Sequence, residues 1–129
     1  GGIGCLETIA SGWALKEKGE GMSAKQLASL GGTNPHLVEA CKAMGTALIW
    51  AASITGAEKI ILGGGIANIG EPYLGLIREI FAQHAHHELS STPIVQSALK
   101  EQSSNLGSIA VALDHWIFRS SILKTLQEY

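Results

Sequence analysis

The chemistry-bearing residues of this sequence stand in a few separate groups. Gly63-Gly64-Gly65 follows the β-branched run Lys59-Ile60-Ile61-Leu62 and precedes an amphipathic segment. A glycine run between a strand and a helix lets backbone approach a ligand closely, and ligands of α/β folds gather at the carboxyl ends of strands. The dinucleotide fingerprint G-x-G-x-x-G is not met, because Asn68 occupies its third glycine position and Gly70 comes too late. No G-x-x-x-x-G-K-[ST] loop is present either. The run therefore suits nucleotide contact or a tight strand-to-helix turn. Glu7 falls in the first turn of a helix, where the dipole favours a carboxylate. Behind Gly1-Gly2-Ile3-Gly4 it also suits a hydrogen-bond acceptor for a ligand.

Other groups carry less. His84, His86 and His87 cluster near a helix end, and His84 and His87 share a face at i,i+3 spacing. Two imidazoles make half of a metal site, and Glu88 is the only other ligand type beside them. The dipole at a helix C-terminus explains such histidines more simply. Ala28, Gly32 and Val38 fall at helix-turn-helix spacing, but the second helix would offer Asn34, Pro35, His36 and Glu39 where bases and phosphates need basic side chains. Trp13, Trp50 and Trp116 stand at core-facing helical spacing, which suits packing rather than sugar stacking. Cys41 reads as a small buried apolar residue.

These groups need elements to position them. Leu6, Ile9, Ala10 and Trp13 share one face of a helix that should run to Gly19-Glu20-Gly21. Ser23 caps a short helix to Leu30, stopped by Gly31-Gly32. Asn34-Pro35 opens a long helix with Leu37, Cys41, Met44, Leu48 and Ala51 on one stripe, ending at Gly56. Its second half is apolar on nearly every side, which predicts burial all round. Lys59 to Leu62 reads as a buried strand, Pro72 to His87 as a helix, and Ile94 to Ser97 as a second strand. Strand, helix, strand over this length is a βαβ unit with parallel strands. A helix from about Asn105 to Phe118 and a tail helix to Leu126 complete the chain. Two strands make a poor sheet, which predicts partner strands outside this sequence.

Composition bounds what these elements can do. The chain has 129 residues, 46% hydrophobic and 16% charged, which allows one domain with a real core and excludes disorder. A net charge of -2 predicts no general attraction to nucleic acid or anionic lipid. No uninterrupted apolar run approaches the roughly 18 residues of a membrane span, and no basic-then-apolar leader opens the chain. Two distant cysteines, Cys5 and Cys41, point to a reducing, cytoplasmic setting.

Gly1-Gly2-Ile3-Gly4-Cys5-Leu6-Glu7 resembles the second half of the motif C-x-C-G-x-x-G-C-x-E of the ROK family of repressors, open reading frames and sugar kinases. Lys59 to Gly65 resembles the family's strand and glycine motif near adenosine, Ser97-Ala98-Leu99 its S-x-L, and Gly107-Ser108-Ile109-Ala110 a blurred G-A-A. The resemblance implies an α/β class. The chain would be the mainly helical C-terminal part of an actin-like ATPase (ribonuclease H-like) domain with a small parallel βαβ unit. It implies that residues 1–129 lack the upstream lobe, the phosphate loop, the catalytic Asp and most of a structural zinc site, of which Cys5 is one ligand. By the same resemblance Glu7 hydrogen-bonds sugar hydroxyls, while Gly63, Gly64 and Gly65 lie on the nucleotide side. Alone, the chain would phosphorylate nothing, since phosphoryl transfer needs metal, base and phosphate cradle together.

Two branches are implied. Gln102 to Ser108 lacks the aspartate of the kinases' G-D-x-A-G-L-x-G-A-A stretch, and Ala112 to Leu126 resembles the extended C-terminus of glucose and N-acetylglucosamine repressors. This favours a sugar-responsive regulator, binding DNA only through a domain outside this chain. The intact glycine run keeps a hexose kinase using ATP and magnesium as the alternative. Either branch implies a homo-oligomer acting on a small-molecule sugar away from membranes. A small helical interaction domain without ligand is the third reading. It predicts that Glu7 and the glycine run face unrelated surfaces.

Overall fold

A computed structural model describes residues 2–30 and 34–119. Helices α1 (Leu6–Ala10), α2 (Gly12–Lys18), α3 (Ala24–Ser29) and α4 (Pro35–Thr55) come first. Strand β1 (Ile60–Leu62), a 3-10 turn (Ala67–Ile69), α5 (Glu71–His84) and β2 (Ile94–Gln96) follow. A second 3-10 turn (Lys100–Gln102) leads into α6 (Ser103–Leu113), continued by a π-wound stretch over Asp114–Arg119.

The expected first helix is broken in two. Ser11 is extended, at φ -79° and ψ 159°, and its hydroxyl accepts from the Ala14 N–H at 3.1 Å. A serine that caps in this way offers the backbone an alternative to continued helix. The break turns Trp13 onto the surface. The other caps stand where the sequence places them. Ser23 and Gln26 form a reciprocal capping box on α3. Its stop at Gly31-Gly32 lies outside the described residues. The Asn34 side chain accepts from the His36 and Leu37 N–H groups, with Pro35 opening α4. Gly56 ends α4 in the left-handed conformation, at φ 63°.

α4 and α5 make the main interface. Cys41 lies against Tyr73, and Gly45 against Ile77 and Ile80, so the two helices run in the same sense. Leu74, Ile77, Ile80 and Phe81 are buried, as their spacing predicts. By length and composition α4 is apolar enough to cross a bilayer, with mean hydropathy 1.3. Its first half instead forms the core, with Leu37, Ala40 and Cys41 fully enclosed. The expected burial of its second half is not found. Trp50 is 68% exposed and Ile54 81%, and beyond Gly45 only Ala52 is buried. Apolar periodicity marks a face that wants cover, whereas burial needs a neighbouring element, and among the described residues none seals this end. Trp116 is exposed as well, so the core assignment fails for all three tryptophans.

β1 and β2 pair in parallel, Ile60 with Ile94, Ile61 with Val95 and Leu62 with Gln96, joined through α5. This is the expected βαβ unit. α5 lies on the sheet, where Arg78 Nε donates to the Ile94 carbonyl at 2.7 Å while its guanidinium holds Glu71. β1 is not the fully buried strand expected. Side chains alternate across a sheet, and Ile61 points to a side that no described element covers. α5 also ends earlier than expected, at His84, leaving His86 and His87 in the next turn. α6 begins at Ser103 and buries no residue. The expected tail helix lies outside the described residues.

The core holds one polar orphan. The Tyr73 hydroxyl is buried without a hydrogen-bond partner. Burial, and the neighbouring Cys41, push its ionisation well above the ordinary tyrosine range. Burial pushes the Cys41 thiol up to about 12. Both groups are therefore neutral in the folded protein where the unfolded chain has begun to ionise. Their folded values are raised, so the stability they confer is complete below the unfolded thiol value of about 9 and is lost as pH climbs above it. Tyr73→Phe removes the unsatisfied hydroxyl and keeps the ring. Urea denaturation at neutral pH should show it about 1 to 2 kcal/mol more stable, with a shallower decline above about pH 10, where the unfolded tyrosine ionises. A destabilised Tyr73→Phe would contradict the orphaned hydroxyl.

Candidate functional site

The carboxyl ends of β1 and β2 are tied together and open into a cleft. The Ser97 N–H donates to the Leu62 carbonyl at 2.8 Å, extending the parallel pairing by one residue. The Ser97 hydroxyl accepts from the Leu99 N–H and meets the Ser103 hydroxyl at 3.1 Å, which fixes the chain between β2 and α6. Gln96 Nε2 donates to Asn68 Oδ1 at 3.1 Å, joining the end of β2 to the turn after the glycines.

Around this pair lies a cavity of about 730 Å3 lined by Lys25, Asn68, Gln96, Ala98, Leu99, Lys100 and Gln102. A second cavity, of about 320 Å3, adjoins it through Lys25 and Asn68 and is lined also by Gly12, Lys16, Ser23, Ala24, Gly65 and Ile69. Lys16, Lys25 and Lys100 are three of the chain's nine lysines and arginines, and no described acidic side chain shares the lining. The cleft is thus basic on a chain whose net charge is negative.

The three glycines play different parts. Gly64 has φ +81°, so the turn itself requires glycine there. A Cβ at Gly63 would meet the Ser97 Cβ at 3.8 Å, an ordinary contact. Gly65 is not in the left-handed region, a Cβ on it would meet nothing within 4 Å, and it lines the cleft. Its lack of a side chain leaves backbone open to whatever enters. The turn explanation therefore accounts for Gly64 and not for Gly65. Lys16, Lys25, Gln96 and Lys100 are not legible as a site in the sequence. They come from separate elements, and no local spacing links them.

Glu7 and Cys5 stand together elsewhere. Cys5 is the extended residue before α1, exposed and unpaired with Cys41. Glu7 is exposed in the first turn of α1, which has only five residues and so a small dipole. Its carboxylate makes no hydrogen bond or ion pair with a described residue, and it does not line the cleft. α1 meets α2 at Ser11, and Gly12 of α2 lines the cleft beside Gly65. Cys5 brings one sulfur where structural zinc takes four ligands. Among the described residues no three metal-ligating side chains come together.

The sequence model of the ROK family matches residues 1–115 of the 129. The chain belongs to the ROK family. The matched span of this ROK chain contains Cys5, Glu7, the glycine run, Ser97-Ala98-Leu99 and Gly107 to Ala110, while the repressor-like tail, Ala112 to Leu126, runs past its end. It also takes in every residue that lines the cleft around Asn68. No curated protein matches the chain.

Proposed function

We propose that this chain is the sugar-binding C-terminal portion of a ROK-family sugar-responsive transcriptional regulator with an actin-like ATPase fold. ROK membership, together with an exposed Glu7 carboxylate that no neighbour claims, supports the reading. A carboxylate accepts hydrogen bonds and donates none, so it can engage two sugar hydroxyls at once. Cys5, two residues before it, would be one ligand of a structural zinc that steadies this turn. DNA is met through a separate domain, the protein acts in the cytoplasm as a homo-oligomer, and sugar shifts its hold on operator DNA. The regulator branch draws support from the segment after β2. Gln102 to Ser108 lacks the kinase aspartate, and Ser103 to Ser108 is wound into α6.

One observation favours the kinase branch as a second reading. Gly65 opens onto a lysine-lined cleft, as a nucleotide site would require. There ATP and magnesium would supply the phosphoryl group and its charge neutralisation. Gly65→Val separates the branches better than a change at Gly64, whose φ would strain any side chain. In the protein that carries this chain, the regulator reading expects sugar-dependent binding to operator DNA and no sugar-dependent ATP consumption. The kinase reading expects that consumption, and its loss in Gly65→Val. ATP consumption driven by sugar overturns the first reading.

A further inference from the structure

We propose that Ser11 is the positioning residue of the Glu7 carboxylate: by capping α2 it breaks the helix, and the break turns Glu7 out of the inward face to meet a ligand. In an unbroken helix of 3.6 residues per turn, Glu7 would lie about 30° around the axis from the midline between Ala14 and Leu15, and Ala10 about 90° from it. Ala14 and Leu15 are the residues that α2 buries, with exposures of 1% and 0%. A straight helix would therefore aim Glu7 at the core, where an unpaired carboxylate is costly, and leave Ala10 on its flank. The structure has the reverse. Ala10 is 2% exposed and joins Leu15 in the core, while Glu7 faces outward.

Ser11 makes this turn through its backbone and its side chain. Its N–H donates to the Glu7 carbonyl at 3.2 Å and closes α1; its carbonyl accepts from the Leu15 N–H at 3.0 Å and opens α2. Between the two, the extended backbone is held by the hydroxyl on the Ala14 N–H. Gly12 assists the break. A Cβ on it would meet nothing within 4 Å and its φ is not left-handed, so neither space nor dihedral requires glycine there. What glycine adds is a weak tendency to continue a helix. α1 buries only Ala10, so once the cap is gone little else sets its direction.

The role of Ser11 rests on the sugar-binding reading of Glu7 and deepens it. Calorimetric titration of glucose and N-acetylglucosamine into the parent protein, Ser11→Ala, Ser11→Thr, Glu7→Ala and the double variant of Ser11→Ala with Glu7→Ala tests it, alongside amide hydrogen exchange. Ser11 is only half-buried, so the fold survives each change there. Without its acceptor the Ala14 N–H should exchange roughly tenfold faster in Ser11→Ala, and near the parent rate in Ser11→Thr, which keeps the hydroxyl. Sugar affinity should fall roughly three- to tenfold in Ser11→Ala, the scale of a lost cap, and return in Ser11→Thr. In the Glu7→Ala background Ser11→Ala should add almost nothing, because the side chain it positions is gone. An equal loss in both backgrounds means a structural role alone and overturns the proposal. So does full affinity in Ser11→Ala, or Ala14 exchange that ignores the loss of the hydroxyl. A parent that binds neither sugar, or a Glu7→Ala protein that binds as the parent does, refutes the sugar-binding reading itself, and the role of Ser11 falls with it.

Discussion

Gly45→Leu should cost the fold about 3 kcal/mol, the upper end of the range for forcing extra atoms into a packed core. A Cβ on Gly45 would lie 2.7 Å from Ile80 Cγ2 and 3.3 Å from Ile80 Cβ. Those atoms sit close to the backbone of α5 on a β-branched side chain, which cannot swing aside as a longer one could. Glycine in a helix interior costs about 1 kcal/mol relative to alanine, so its place midway along α4 is explained by this close approach. A leucine must push α4 and α5 apart at the interface that encloses Leu37, Cys41, Tyr73, Ile77 and Phe81. Urea denaturation of Gly45→Leu beside Thr46→Leu, an exposed neighbour on the same helix, provides the comparison. The first midpoint should fall steeply, and the second should stay within about 0.5 kcal/mol of the parent. Matching midpoints would mean that the helices do not touch at Gly45.

The elements that position the site were readable where local chemistry alone decides them. Ser23, Asn34-Pro35, Gly56 and Pro72 mark helix ends through hydrogen bonds or dihedral limits that act within a few residues. The parallel pairing of β1 with β2 follows from the helix between them. Burial is different, because it depends on partners from other elements. Trp50, Ile54 and Ile61 have the composition of core residues and stand in the open. The break at Ser11 was hidden because Leu6, Ile9, Ala10 and Trp13 keep helical spacing across it. At the site, Glu7 and the glycine run were visible through a motif and through composition. The lysines of the cleft were not, since Lys25 and Lys100 lie on α3 and beyond β2 and meet only through the fold. In the sequence Asn68 does no more than spoil a dinucleotide fingerprint; in the structure it accepts from Gln96 and lines both cavities of the cleft.

Sugar binding should depend on Glu7 far more than folding does. Losing one charged acceptor from a hydrogen-bonded ligand costs about 1.5 to 3 kcal/mol, so Glu7→Ala should weaken sugar affinity roughly ten- to a hundredfold. The change is nearly silent for stability. Glu7 is exposed, makes no side-chain hydrogen bond or ion pair with a described residue, and lies in a five-residue helix where a first-turn carboxylate contributes at most about 0.3 to 1 kcal/mol. Glu7→Gln sharpens the test, because an amide keeps the size but accepts with one oxygen and no charge, and should fall between alanine and the parent. The most direct measurement is calorimetric titration of glucose and N-acetylglucosamine into the parent protein, Glu7→Gln and Glu7→Ala, with circular dichroism confirming that all three are folded. A sugar bound by the parent should lose affinity in the order parent, glutamine, alanine, with unchanged spectra. Equal sugar affinity in a folded Glu7→Ala protein would contradict it.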